Sequence, residues 1–271
     1  MNSKDVQQRS GGVTGLPWLT PLMVIAGAWA ARTSVRDYPD WPLWLALAVL
    51  LATMWGLIWR TVTGVHWASL LAAWRGWSHG TPLPALPYAQ PGSDAAYVAL
   101  RLGQLKSWLS SNVQPYYGDA LLLCALAAMV AAALSAVLGA TAVLLSLASL
   151  ALTQVAVLLC QGNSKPNTWL SGATLVGLPV LLGYVTFQSP ALPAWALSLS
   201  SVAIFADSHG QWSRGRDLGL AAAALACAAL RWPASAFALA AIWAARFTLK
   251  PSGNESIWLT LAVFALATTA G

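Results

Sequence analysis

Charge is what this chain has least of. Charged residues make up 8% of its 271 positions, against roughly 25% in a soluble globular domain. Hydrophobic residues reach 58%. So few charges could not cover the core of a soluble fold of this length. Cysteine is scarce as well. Cys124, Cys160 and Cys227 lie within or at the ends of apolar stretches, with no CxxC or Cys/His spacing. That pattern suits packing rather than a metal or redox centre. Ionisable residues are nearly absent from the apolar stretches, where Gln154 is the clearest strongly polar residue. An ion-coupled transporter needs such groups along its route. No inverted or parallel repeat stands out, which weakens a transporter built from duplicated halves. The polar start MNSKDVQQRSGG is followed by no small-residue cleavage site, so a cleaved signal peptide is not expected. Basic residues form no dense run, so no nucleic-acid partner is expected.

What is present is length in apolar runs. Nine hydrophobic stretches lie between Leu16 and Gly271. If alternate gaps are assigned to opposite sides of a membrane, Lys4, Arg9, Arg60, Arg75, Arg101, Lys106, Lys165, Arg214, Arg216, Arg246 and Lys250 fall on one side, and Arg32, Arg36 and Arg231 on the other. Cytoplasmic loops retain Lys and Arg. The expected fold is therefore all-α: a polytopic membrane protein of about nine transmembrane helices in one bundle. Its N-terminus would be cytoplasmic and its C-terminus on the opposite side, in what we take to be a bacterial inner membrane. The whole chain, 1–271, reads as one integral membrane domain. Helices one and two fall in 16–59, an amphipathic cytoplasmic segment in 60–118, and helices three to nine in 119–271.

The expected spans are 17–31, 42–59, 119–138, 140–160 and 169–187, then a sixth ending near Ala206, a seventh over 218–230, an eighth ending near Arg246 and a ninth from Ile257. Several are shorter than the roughly 20 residues an upright helix needs to cross the hydrocarbon, and the seventh and eighth could instead form one re-entrant hairpin. Trp41, Trp44, Trp55 and Trp59 sit toward the ends of the second span, where aromatic rings favour the membrane interface. Small residues such as the run at 127–133 would let helices approach closely.

Within the segment from Arg60 to Asp119, Val65–Trp77 is apolar and tryptophan-rich. Asp94–Asn112 is amphipathic, with Val98, Leu102, Leu105 and Leu109 at helical spacing. Asp94 belongs to the N-cap region. A proline-rich connector, TPLPALPYAQPG, joins the two stretches. They read as two helices lying on the cytoplasmic surface, or alternatively as a lid over a cavity at that face.

The densest polar cluster is the loop DSHGQWSRGRD, with Asp207, His209, Gln211, Arg214, Arg216 and Asp217 within eleven residues. Its guanidinium groups suit phosphate oxygens, which they contact in bidentate fashion. It also reads simply as a solvated cytoplasmic loop. A second polar gap, QGNSKPNT, carries Asn163 and Lys165.

This layout resembles the UbiA-type intramembrane prenyltransferases. Their nine helices place an active site in the cytoplasmic loops after helices two and six, where aspartates hold magnesium and an isoprenyl diphosphate. The loop after span six is similar to the family's second motif, two aspartates four apart with a glycine four further on. Asp207 matches the first aspartate, Gln211 stands at the second, and Gly215 matches the glycine. The stretch Ser164 to Pro166 lies where the family often carries a lysine, the place of Lys165. The resemblance implies transfer of a prenyl group from an isoprenoid diphosphate to an aromatic or tetrapyrrole acceptor. Asp207 would bind Mg²⁺ and act with Gln211 and Asp217 as the catalytic set. Lys165, Arg214, Arg216, His209 and Asn163 would hold the diphosphate, and membrane lipid would surround the bundle. The first motif departs from the family, since no carboxylate occurs between Asp40 and Asp94. That departure implies the alternative: a catalytically degenerate member that binds a quinone, a pigment or a partner membrane protein, or a scaffold subunit of a membrane complex.

Overall fold

A computed structural model describes residues 18–31, 39–65, 67–81, 92–159 and 167–209, together with 262, 263 and 267. Every regular element among them is helical. In chain order these are α1 (Leu19–Ala30), α2 (Trp41–Gly64), α3 (Trp67–Arg75), α4 (Asp94–Trp108), α5 (Gln114–Leu138), α6 (Ala140–Leu159), α7 (Thr168–Gly172), α8 (Leu178–Val185) and α9 (Leu192–His209). Two π-helical turns, Leu109–Val113 and Ala173–Gly177, join α4 to α5 and α7 to α8.

Four continuous helices are long and apolar enough to cross a membrane: Trp41–Gly64, Asp94–Leu138, Ala140–Leu159 and Thr168–Val185. Leu19–Ala30 and Leu192–Ala206 are shorter apolar helices. The chain is accordingly an integral membrane protein. Five of the first six expected spans coincide with these helices to within about five residues, and the third, expected over 119–138, is the C-terminal part of Asp94–Leu138. The seventh to ninth lie outside the described residues, apart from Ala262, Val263 and Ala267, which are buried in the main core.

The segment after α2 differs from the expectation. The amphipathic stretch from Asp94 does not end near Asn112 as a separate surface helix. It continues into the third span as one helix of 45 residues. At 1.5 Å per residue such a helix is about 68 Å long, over twice the hydrocarbon thickness of roughly 30 Å. Only part of such a helix fits within the hydrocarbon. Ser93 caps it, next to Asp94 in the first turn: the Ser93 side chain accepts from the Ala96 N–H at 3.3 Å.

Both π turns have the same cause in the sequence. Each ends two residues before a proline, Val113 before Pro115 and Gly177 before Pro179. Proline has no N–H, and its ring collides with the carbonyl one turn back. A widened turn moves that carbonyl aside, and the bonds Gln114 N–H to Leu109 O and Leu178 N–H to Ala173 O reach back five residues.

The second π turn also sets the packing of α9. An added Cβ on Gly172 would meet Phe205 and Val202, and one on Gly177 would meet Val202 and Ser198. In an α-helix, positions five apart point roughly 140° from one another. The π turn brings both glycines onto one face, and α9 lies against it antiparallel. Ser198 Oγ donates to the Gly177 carbonyl at 2.9 Å across this contact.

A second close approach joins α1 to α8. The backbone of Gly27 lies against the Val180 carbonyl, and that of Gly183 against the Val24 carbonyl. In lipid, which is as apolar as a side-chain core, such small-residue contacts carry much of the helix association. The main core contains Met23, Leu51, Trp55, Trp59, Leu181, Leu197 and Phe205. Trp55 and Trp59 are thus inside the bundle, 1% and 2% exposed, not at an interface as their sequence positions suggested. Leu122, Met129, Leu144 and Leu158 are exposed on α5 and α6, an apolar outer face suited to lipid.

Candidate functional site

Antiparallel packing sets the end of α9 beside the short helix α7: Gly172, the last residue of α7, meets Phe205 near the end of α9. Gly139 alone separates α5 from α6, and its φ of 102° breaks the helix there. The candidate site is sought at the ends of α2 and α9, which the topology expected from the sequence places on one side.

On α9, Asp207 and His209 occupy the last turn of the helix; only their backbone is described. Asn163, Lys165, Gln211, Arg214, Arg216 and Asp217 lie outside the described residues. The structure therefore brings two of the eight candidate residues to one helix end. Gln154 is exposed on α6, five residues before that helix ends, close enough for its amide to turn toward water.

The end of α2 is described in full. Thr61 Oγ1 donates to Leu57 O at 2.9 Å and Thr63 Oγ1 to Trp59 O at 2.7 Å, so both hydroxyls are spent on the helix itself. Trp67 Nε1 donates to Val62 O at 2.8 Å. That carbonyl lies in the last turn of α2, where the helix supplies no donor of its own, and the bond ties the start of α3 to the end of α2. Arg60 is half-buried, and its Nε is shielded from solvent with no hydrogen-bond partner among the described residues.

Magnesium does not fit the residues at this end of α2. The ion takes oxygen ligands, usually including carboxylates. Here the chain offers a guanidinium, two engaged hydroxyls and no carboxylate. Among the described residues, no three His, Cys, Asp or Glu side chains are grouped as metal ligands. The α2 side of the site suits an anion directly.

Beyond α2, a second small core is built from Val65, Leu70, Trp108 and Val113, with Trp67, Trp74, Trp77, Leu105, Tyr117 and Leu121 packed on it. Trp74 and Trp108 meet edge to face at 5.6 Å, a favoured geometry for aromatic rings. Residues 77–81 cross α4 at Gly103 and Gln104, where the backbone of Gly80, with φ of 145°, makes close contact. On the outer side of α4, Arg101 donates to Tyr97 Oη at 3.0 Å and to Gln104 Oε1 at 3.2 Å.

Sequence reasoning counted Arg60 only as a topology marker and Trp77 and Trp108 only as part of an amphipathic segment. The missing carboxylates around Arg60 were the available signal for an anion site. Comparison with protein-family models, with curated proteins and with solved structures finds no significant match to this chain.

Proposed function

We propose that this chain is a UbiA-type membrane prenyltransferase that takes an isoprenoid diphosphate at the side where α2 and α9 end. It passes the prenyl group to an aromatic or tetrapyrrole acceptor. In that reaction the bond from the prenyl C1 to oxygen breaks, diphosphate leaves with the electron pair, a bond forms from C1 to the acceptor, and the acceptor loses a proton. The observation that carries the reading is the end of α2. A guanidinium with an unpartnered, shielded Nε stands there, with no acid nearby in sequence. A cation fixed beside a leaving diphosphate stabilises the charge that grows on it. Arg60 would act with Lys165, Arg214 and Arg216 on the phosphate oxygens, and Asp207, at the end of α9, would orient the acceptor or the headgroup.

One observation favours a second reading. The carboxylates of the first motif are absent, and with them the ligands that would hold a metal to assist the departure of diphosphate. On that reading the bundle binds an isoprenoid, quinone or pigment tail without turning it over.

Purified protein mixed with geranylgeranyl diphosphate, with and without magnesium, separates the readings. A ligand that binds the folded state raises the melting temperature. The transferase reading expects a rise together with prenylated product, and loss of product in Asp207→Ala with the rise retained. A rise without product for any acceptor supports the binding reading. No rise under either condition contradicts both.

A further inference from the structure

The helical hairpin that follows α2 holds two buried donors that none of its described residues satisfies. Trp108 is 8% exposed, and its Nε1 has no hydrogen-bond partner. Trp77 Nε1 is shielded and unpartnered in the same tryptophan-lined core. A buried donor without an acceptor costs about 1–3 kcal/mol, so two in one small core call for a physical reason. Both are donors, and the missing group is therefore an acceptor. The surroundings agree on its charge. Arg75 closes α3, while Arg101 and Lys106 line α4; the run from Trp41 to Ser93 contains no acid. The depth agrees as well. The hairpin is continuous with the third span, and indole rings gather where lipid headgroups lie.

We propose that this hairpin is a binding site for the phosphate of an anionic phospholipid, with the indole N–H groups of Trp77 and Trp108 as donors and Arg75 and Lys106 as the attracting charges. It stands apart from the diphosphate reading, since it uses none of Arg60, Asp207 or the loops beyond α6 and α9. The way in is the strap at 77–81. Ser78, His79, Gly80 and Thr81 are exposed and non-helical. His79 leans edge-on against Trp77 at 5.4 Å, and the strap rests on α4 through Gly80. Residues 78–81 are the part of the strap that can lift off α4 without unwinding α3 or α4, while Trp77 stays packed on the core.

The test uses the full chain in neutral detergent, titrated with short-chain phosphatidylglycerol, phosphatidylcholine or inorganic phosphate, with melting temperature as the readout. Phosphatidylglycerol raises the melting temperature and the other two do not. The Trp77→Phe/Trp108→Phe double variant keeps the rings and removes only the N–H groups. Without lipid it is at least as stable as the parent, and it binds phosphatidylglycerol roughly tenfold more weakly. Arg75→Gln with Lys106→Gln alters only exposed side chains and weakens the same titration, which provides a check if the double tryptophan variant fails to fold. Asp207→Ala leaves the titration unchanged. Equal stabilisation of the parent and the ring-preserving variant by phosphatidylglycerol overturns the proposal. So does an equal gain from phosphatidylcholine, or a full gain from inorganic phosphate alone.

Discussion

The indole N–H of Trp55 donates to the hydroxyl of Ser146 at 3.2 Å, tying α2 to α6 within the core. The bond explains how a tryptophan can sit 1% exposed in an apolar bundle: its one polar group is satisfied by a neighbouring helix. Interhelical hydrogen bonds in membranes are worth about 0.6 kcal/mol on average. Trp55→Phe therefore costs about 1 kcal/mol or less. Trp55→Ala empties a large buried site and costs about 3–5 kcal/mol. Unfolding of the two variants in mixed detergent micelles measures the difference.

Gly27 and Gly183 answer to backbone, whereas Gly56 answers to a side chain. A methyl group at Gly27 would run into the Val180 carbonyl, and one at Gly183 into the Val24 carbonyl. Neither carbonyl can move without displacing its helix. Gly27→Ala and Gly183→Ala each destabilise the bundle by about 3 kcal/mol. At Gly56 the added carbon would meet Thr20 Oγ1 at 3.1 Å, a contact relieved by a small shift of that side chain, so Gly56→Ala costs less than either. Thermal melts of the three variants rank them.

Thr174 is fully buried in the second π turn, and its Oγ1 has no hydrogen-bond partner. Thr153, equally buried, donates to Ser149 O at 2.8 Å. Thr174→Val keeps the shape and removes an unsatisfied hydroxyl, so it stabilises the protein by about 1 kcal/mol. Thr153→Val gives up a hydrogen bond and brings no such gain. The opposite order in a melting comparison contradicts the assigned hydrogen bonding.

The positions of most of the first six apolar helices were legible because their runs are bounded by prolines, polar loops or glycine, as at Gly139; the start of the third was not. The sequence did not carry which faces look inward. Lipid is as apolar as a protein core, so hydropathy cannot separate Trp55, which is buried, from Leu144, which faces outward. The continuity of α4 with α5 was hidden for a different reason. The turn at Leu109–Val113 passes SSN and precedes Pro115, a pattern that normally ends a helix, yet the wider π turn carries the chain past it. At the site, polar loops after α6 and α9 were visible as composition. The unpartnered Nε of Arg60 was not, because it depends on what neighbours fail to offer.

The account rests on the ends of α2 and α9 sharing one side of the membrane. Single cysteines placed at Gly76, Ala140 and His209, in a chain whose native cysteines are replaced by serine, test this with a membrane-impermeant maleimide applied to vesicles of each orientation. The account predicts that Gly76→Cys and His209→Cys react from the same side and Ala140→Cys from the other. Reaction of His209→Cys from the same side as Ala140→Cys would separate Arg60 from Asp207 by the width of the bilayer and contradict a shared site.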